Sequence, residues 1–163
     1  MRFRHLLWAS VSALLVGCAA QTASGPGSGT EIVVDRSVPQ HALAPWLAYA
    51  GSRVVWMEKT FFERNPGAAA YRYSFAEEVE ARDWCAQVWR DLKAKDGRSD
   101  RYLDDLVAVQ EAGFLREYTW VFLRDAGWSA PEGLRLTEFD QWRRLHLPAH
   151  RPERRAIVRF REK

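Results

Sequence analysis

Through most of the chain apolar residues recur at every third or fourth position, and they alternate or crowd together only near the two ends. Glu31-Ile32-Val33-Val34-Asp35 is short, β-branched and bounded by polar residues, and in Ala156-Ile157-Val158-Arg159-Phe160-Arg161 alternation puts Val158 and Phe160 on one face. Both segments predict strands that could pair with one another. Between them, Leu47, Ala50, Val54, Met57 and Phe61 predict a helix from Leu43, with Pro45 tolerated in its first turn and Pro66-Gly67 as its stop. Gly51-Ser52 leaves a strand over Arg53 to Met57 open as an alternative.

The second helix carries the clearest start signal. Ser74-Phe75-Ala76-Glu77 reads as a capping box, in which the serine oxygen and the glutamate side chain each take a free amide. Val79, Cys85, Val88, Trp89 and Leu92 form its apolar stripe, Glu78 and Arg82 pair across one turn, and Gly97 ends it. A third helix is expected from Ser99 or Asp100 to Gly127, with Leu103, Val107, Phe114, Tyr118 and Val121 on its core face and Gly113 allowing a close helix contact. Thr137 can cap a short helix through Leu145, before Pro148 and Pro152 break the chain. The expected fold is therefore mainly α, with three longer helices, one short helix and a small β element from the N- and C-terminal segments; an α+β arrangement is the alternative. No repeat of fixed period supports a solenoid.

The first residues follow a different logic. Met1-Arg2-Phe3-Arg4-His5 is basic, Leu6 to Val16 is apolar, and small residues follow, which is the plan of a secretory signal. The apolar run is too short for a membrane-spanning helix, which needs about 20 such residues. Leu15-Val16-Gly17-Cys18 resembles the lipobox of bacterial lipoproteins. That resemblance implies cleavage before Cys18, a diacylglyceryl group on its thiol and an acyl chain on the freed amine. It also implies the outer membrane, facing the periplasm, because Ala19 stands where an aspartate would retain a lipoprotein in the inner membrane. Each buried methylene contributes about 0.8 kcal/mol, so two or more chains hold stably where one holds weakly. The resemblance covers only the first eighteen residues and implies nothing about the fold behind them.

These readings divide the chain into a signal over 1–17, a lipidated tether over 18–30 and one globular domain over 31–163. The tether, small and polar from Ala19 to Thr30, would hold the domain on the order of 20 Å from the lipid. Loss of Arg2 and Arg4 with the signal brings Lys+Arg from 24 to 22 against 21 Asp+Glu, so the processed chain is near +1. Charge is unevenly spread: Arg143 to Lys163 carries a local +6 and Cys18 to Trp142 a local −5. A basic end of this kind suits an anionic surface component or another envelope protein, whereas export disfavours nucleic acid.

Candidate chemistry is sparse. With Cys18 acylated, Cys85 is the remaining cysteine, and its place beside a helical apolar stripe predicts a buried thiol whose acidic neighbours Glu78, Glu80 and Asp83 raise its pKa. His146 and His150 have the spacing of a metal pair, but Pro148 argues against the helix that would align them, and no metal or other cofactor is expected. Glu77, Glu78, Glu80, Asp104 and Asp105 could supply paired carboxylates, but acidic residues at helix N-termini already have a structural role, and the solvated reading is preferred. No phosphate loop, serine elbow or dinucleotide fingerprint is present, so no catalytic residue is assigned. Of the tryptophans after the signal, most should be core, and Trp128, in a turn, is the first choice for a contact surface together with the basic Arg154 and Arg155. The expected function is a membrane-anchored, non-catalytic interaction or scaffolding module; a periplasmic hydrolase or small-ligand-binding domain is the alternative.

Overall fold

The structure is a computed structural model that describes residues 30–34, 38–147 and 158–162. The signal, Cys18, the tether up to residue 29, His150, Arg154 and Arg155 lie outside the described residues. The fold is mainly α. The two end segments form strands as expected, β1 (Thr30–Val34) and β2 (Val158–Glu162), and these hydrogen-bond to each other in a two-stranded sheet. The strands form one compact unit, and the helices form another within Val34–Val158.

In the helical unit a short 3-10 turn, Gln40–Ala42, leads into α1 (Leu43–Val55). Pro45 falls in the first turn, where its missing N–H has no intrahelical acceptor to lose. The helix continues through a π turn, Trp56–Thr60, closed by Phe61 N–H donating to the Trp56 carbonyl, into the short α2 (Phe61–Arg64). Arg53 to Met57 is thus helical, and the strand alternative is excluded.

The buried face of α1 keeps Ala50 of the expected stripe but is turned away from the rest of it. Trp46, Tyr49, Ala50 and Trp56 are buried, while Leu47, Val54 and Met57 are half-buried. Aromatic side chains bury more area than leucine or valine, so they decide which way the helix turns. The π turn then shifts the phase, and Phe61 still ends buried.

Helix α3 (Phe75–Asp96) begins at Ser74, whose Oγ accepts from Glu77 N–H at 3.2 Å. Its inner face runs Glu77, Glu78, Ala81, Arg82, Cys85, Ala86 and Trp89, with Val79, Val88 and Leu92 half-buried. Gly97, at φ +63°, caps the end by donating its N–H to the Lys93 carbonyl.

The single third helix that the periodicity predicts is two helices, α4 (Arg101–Glu111) and α5 (Leu115–Arg124). Asp100 caps α4 by accepting from Leu103 N–H at 3.1 Å. Gly113, at φ +73°, stops it: Gly113 N–H donates to Gln110 O and Phe114 N–H to Val109 O, both at 3.0 Å. This is a Schellman ending, and Val109 and Phe114, which flank it, are both core residues. Gly113 therefore breaks the helix and does not serve a close helix contact; the nearest atom to an added Cβ would be the Arg135 guanidinium at 3.9 Å. The same motif recurs at Gly127, with Trp128 N–H reaching Leu123 O.

The last helix, α6 (Leu136–His146), starts at Arg135 and not at a Thr137 cap. The buried Glu117 of α5 supplies the missing acceptor, taking Arg135 N–H at 2.9 Å. The Arg135 guanidinium covers the Phe114 ring and donates to Gly113 O at 2.6 Å, tying α6 to the α4–α5 break. The core these helices enclose is aromatic, with Trp46, Trp89, Phe114, Tyr118 and Phe139 among its members.

Candidate functional site

The densest chemistry lies where the head of α3 meets α1. On α1, Tyr49 and Arg53 are four residues apart and face the same way. On α3, Glu77 and Glu78 occupy the third and fourth positions of the helix and open its inner face, with Arg82 one turn below. The segment before Ser74 is non-helical, and Tyr71 and Tyr73, alternate residues in it, both direct their hydroxyls at the glutamates.

Both carboxylates are removed from water, Glu77 being 0% and Glu78 2% exposed. Glu77 Oε1 accepts from Arg53 Nε at 3.0 Å, and its Oε2 accepts from the Tyr71 hydroxyl. Glu78 Oε1 accepts from the Tyr49 hydroxyl at 2.6 Å and from the Arg82 guanidinium, and its Oε2 accepts from the Tyr73 hydroxyl. Arg53 Nε also lies 3.9 Å from Glu78 Oε2, so one guanidinium serves both acids. Its plane covers the Tyr73 ring at 4.4 Å, and Arg82 sits over Phe122 at 5.0 Å. Two carboxylates against two guanidiniums make the cluster neutral, and each carboxylate oxygen has a donor from the chain.

Electrostatics follow from that arrangement. Burial works against ionisation of Glu78, but the Arg82 charge, the hydroxyls of Tyr49 and Tyr73 and the Arg53 charge outweigh it and hold the carboxyl below its ordinary range. Burial and the adjacent Glu78 push Tyr49 and Tyr73 upward; burial and the hydrogen bond to Glu77 do the same for Tyr71. Tyr102, which meets Arg82 from α4, is pushed by burial up to about 12. At neutral pH the cluster therefore holds an ionised Glu78, neutral phenols and charged guanidiniums.

Of the acids proposed as a carboxylate pair, only Glu77 and Glu78 are adjacent in this site. Glu80 turns outward toward Arg64 at 3.8 Å. Asp104 binds the α3 end to α4, accepting from Trp89 Nε1 at 2.9 Å, Lys93 Nζ at 2.7 Å and Ser99 Oγ at 2.5 Å. The solvated reading fails for Glu77 and Glu78. The capping box is half formed as well, because the Glu77 side chain goes to Arg53 and Tyr71 and does not return to the helix start. The Glu78–Arg82 pair expected from their spacing is present.

Cys85 is free and 0% exposed. Burial pushes its thiol far up; the charges that act on it are Arg82, which lowers it, and Asp100, which raises it, in place of the acidic neighbours in sequence. His146 stacks on Trp142 at 4.8 Å with Nδ1 2.8 Å from the Trp142 carbonyl. Among the described residues no group of three or more His, Cys, Asp or Glu could hold a metal ion, and no helix is long and apolar enough to cross a membrane. Trp128 is half-buried, edge-on to Tyr73 at 5.1 Å, so it shields the cluster. The exposed tryptophan among the described residues is Trp84, at 38%.

Sequence reasoning missed the site as a unit, although one signal was available. Tyr71 and Tyr73, two aromatic hydroxyls before a helix that opens with adjacent glutamates, already hold donors and acceptors in reach of each other. No protein-family profile, curated protein or solved structure matches the chain.

Proposed function

We propose that the chain is an envelope lipoprotein, anchored through acyl chains on Cys18 and facing the periplasm from the outer membrane, whose helical unit is a non-catalytic interaction module. The observation that carries the non-catalytic part is that Glu77 and Glu78 are sealed from solvent with a donor from the chain on every carboxylate oxygen. A general acid or base needs a lone pair or proton within hydrogen-bond reach of a substrate. Here each carboxylate oxygen is already engaged by Tyr49, Arg53, Tyr71, Tyr73 or Arg82. A buried ionic cluster whose carboxylate oxygens all hold donors fixes the register of two helices, and a rigid α1–α3 pair is what a presenting surface requires. The exposed apolar side chains Val55, Phe62 and Trp84 supply candidate anchors for a partner.

The test is photo-crosslinking in cells from position 84. A specific envelope partner captured at Trp84, and lost with Trp84→Glu, is the expected result. If a chain with Glu78→Gln or Tyr73→Phe altered the turnover of an envelope substrate, a hydrolase would replace this reading.

A further inference from the structure

We propose that residues 66–73 form a strap that acid releases, Tyr73 letting go of Glu78 and Tyr71 of Glu77 while α1 and α3 stay folded. The device goes beyond the interaction reading and needs neither the anchor nor a partner.

The strap joins α2 to α3 and is held almost wholly by side chains. Among the described residues its main chain makes one hydrogen bond, Ala68 N–H to Asn65 O at 3.1 Å, which closes its own first turn. Two phenols tie it down. Tyr71 donates to Glu77 Oε2 and lies edge-on to Phe61 at 5.4 Å; Tyr73 donates to Glu78 Oε2 and lies edge-on to Trp128 at 5.1 Å, under the Arg53 guanidinium. The other donors on Glu78 are carried by helices, Tyr49 by α1 and Arg82 by α3 itself.

A carboxyl group can accept from all three only while it is ionised. Protonation sets a hydrogen on Oε2, because Oε1 stays against the Arg82 charge, and that hydrogen meets the one Tyr73 already donates. The Tyr73 hydroxyl can accept the newcomer by turning its own hydrogen aside. Among the described residues that hydrogen has no second acceptor, and water supplies one only when the strap lifts. Ring contacts are what remain on Tyr73, and the bond lost is charge-assisted, roughly twice as strong as a neutral one. Tyr49 and Arg82 stay, because the main-chain hydrogen bonds of their helices hold them.

The ionisable groups that face Glu78 are Tyr49 and Arg53 from α1, Arg82 on α3, Tyr73 from the strap and, behind Arg82, Tyr102 from α4 and Tyr118 from α5; Glu77 beside it is taken by Arg53 and Tyr71. Phenols and guanidiniums do not titrate on the acid side, so an acid step at the Tyr73 contact belongs to Glu78. Its donors hold Glu78 below the ordinary 4.5, which puts the release under that pH. Opening uncovers the Trp128 ring and the Arg53–Glu77 pair.

The five tyrosines, Tyr49, Tyr71, Tyr73, Tyr102 and Tyr118, each give one nuclear magnetic resonance signal when the full chain is isotopically labelled at tyrosine Cζ, and single Tyr→Phe replacements assign them. As pH is lowered through 4.5, the Tyr71 and Tyr73 signals should reach the position of tyrosine in water, while Tyr49, Tyr102 and Tyr118 stay away from it and the far-ultraviolet circular dichroism holds. In Tyr73→Phe the strap keeps one link, so the Tyr71 step should come at a higher pH. All five signals moving together with loss of helix, none moving before that loss, or an unchanged Tyr71 step in Tyr73→Phe overturns the strap.

Discussion

Glu78 is the residue on which most of the helical unit's electrostatics converge. Replacing it by glutamine removes a buried negative charge and leaves Arg82, 8% exposed, facing a neutral amide. Removing one partner of a buried pair costs about 3 to 5 kcal/mol, so urea unfolding of Glu78→Gln should show a loss of that order. Adding Arg82→Met should recover part of it, because the double replacement leaves no orphaned charge. The acid limb tests the same residue. Glu78 is held below its ordinary value of 4.5, so its contribution is complete above that pH and disappears as pH falls through the lowered folded value. Stability of the parent chain should fall below about pH 4.5, and that of Glu78→Gln should fall less steeply. The tyrosines act with the opposite sign: their raised values stabilise the neutral phenol, and that contribution fades as pH rises past their ordinary value of 10.0. Cys85, buried and pushed upward, should react with thiol reagents only at the rate at which the unit unfolds.

At the scale of elements, glycine geometry decides what periodicity alone leaves open. The apolar spacing from Leu103 to Val121 is compatible with one continuous helix, and glycine in a helix interior costs only about 1 kcal/mol. Gly113 instead takes φ +73° and lets α5 leave α4 in a new direction, burying Leu115 and Glu117 beside the α6 start. Space for a methyl group exists there, so Gly113→Ala should destabilise by about 1 to 2 kcal/mol through backbone strain alone, readable as a lower thermal midpoint with unchanged helix content. The strong helix signals fared differently. Ser74, Asp100 and Gly97 cap as their spacing predicts, because a cap needs only residues within one turn of each other. The α6 start could not be read this way, since its acceptor Glu117 lies eighteen residues earlier in sequence.

For the whole molecule, the expectation that matters is separable from the fold. Cys18→Ser should release the chain from the membrane fraction and remove the mass of the acyl chains, while leaving the far-ultraviolet circular dichroism of the folded part unchanged; flotation and mass spectrometry read the first two. A chain that stays in the membrane fraction at a mass changed only by the substitution would end the lipoprotein reading.

Much of this protein was determined by neighbours along the chain. Helix existence, the caps at Ser74 and Asp100, the Glu78–Arg82 pair, the burial of Cys85 and the existence of a strand at each end follow from spacing and local chemistry. Tertiary structure decided what spacing cannot carry: that Trp46, Tyr49 and Trp56 outcompete Leu47 and Val54 for the core, and that Gly113 divides a helix. It also decided that Glu77 and Glu78 are buried. A carboxylate at a helix start is equally at home in water or against a guanidinium, and only the arrival of Arg53 from α1 and of Tyr71 and Tyr73 from the preceding segment selects between them.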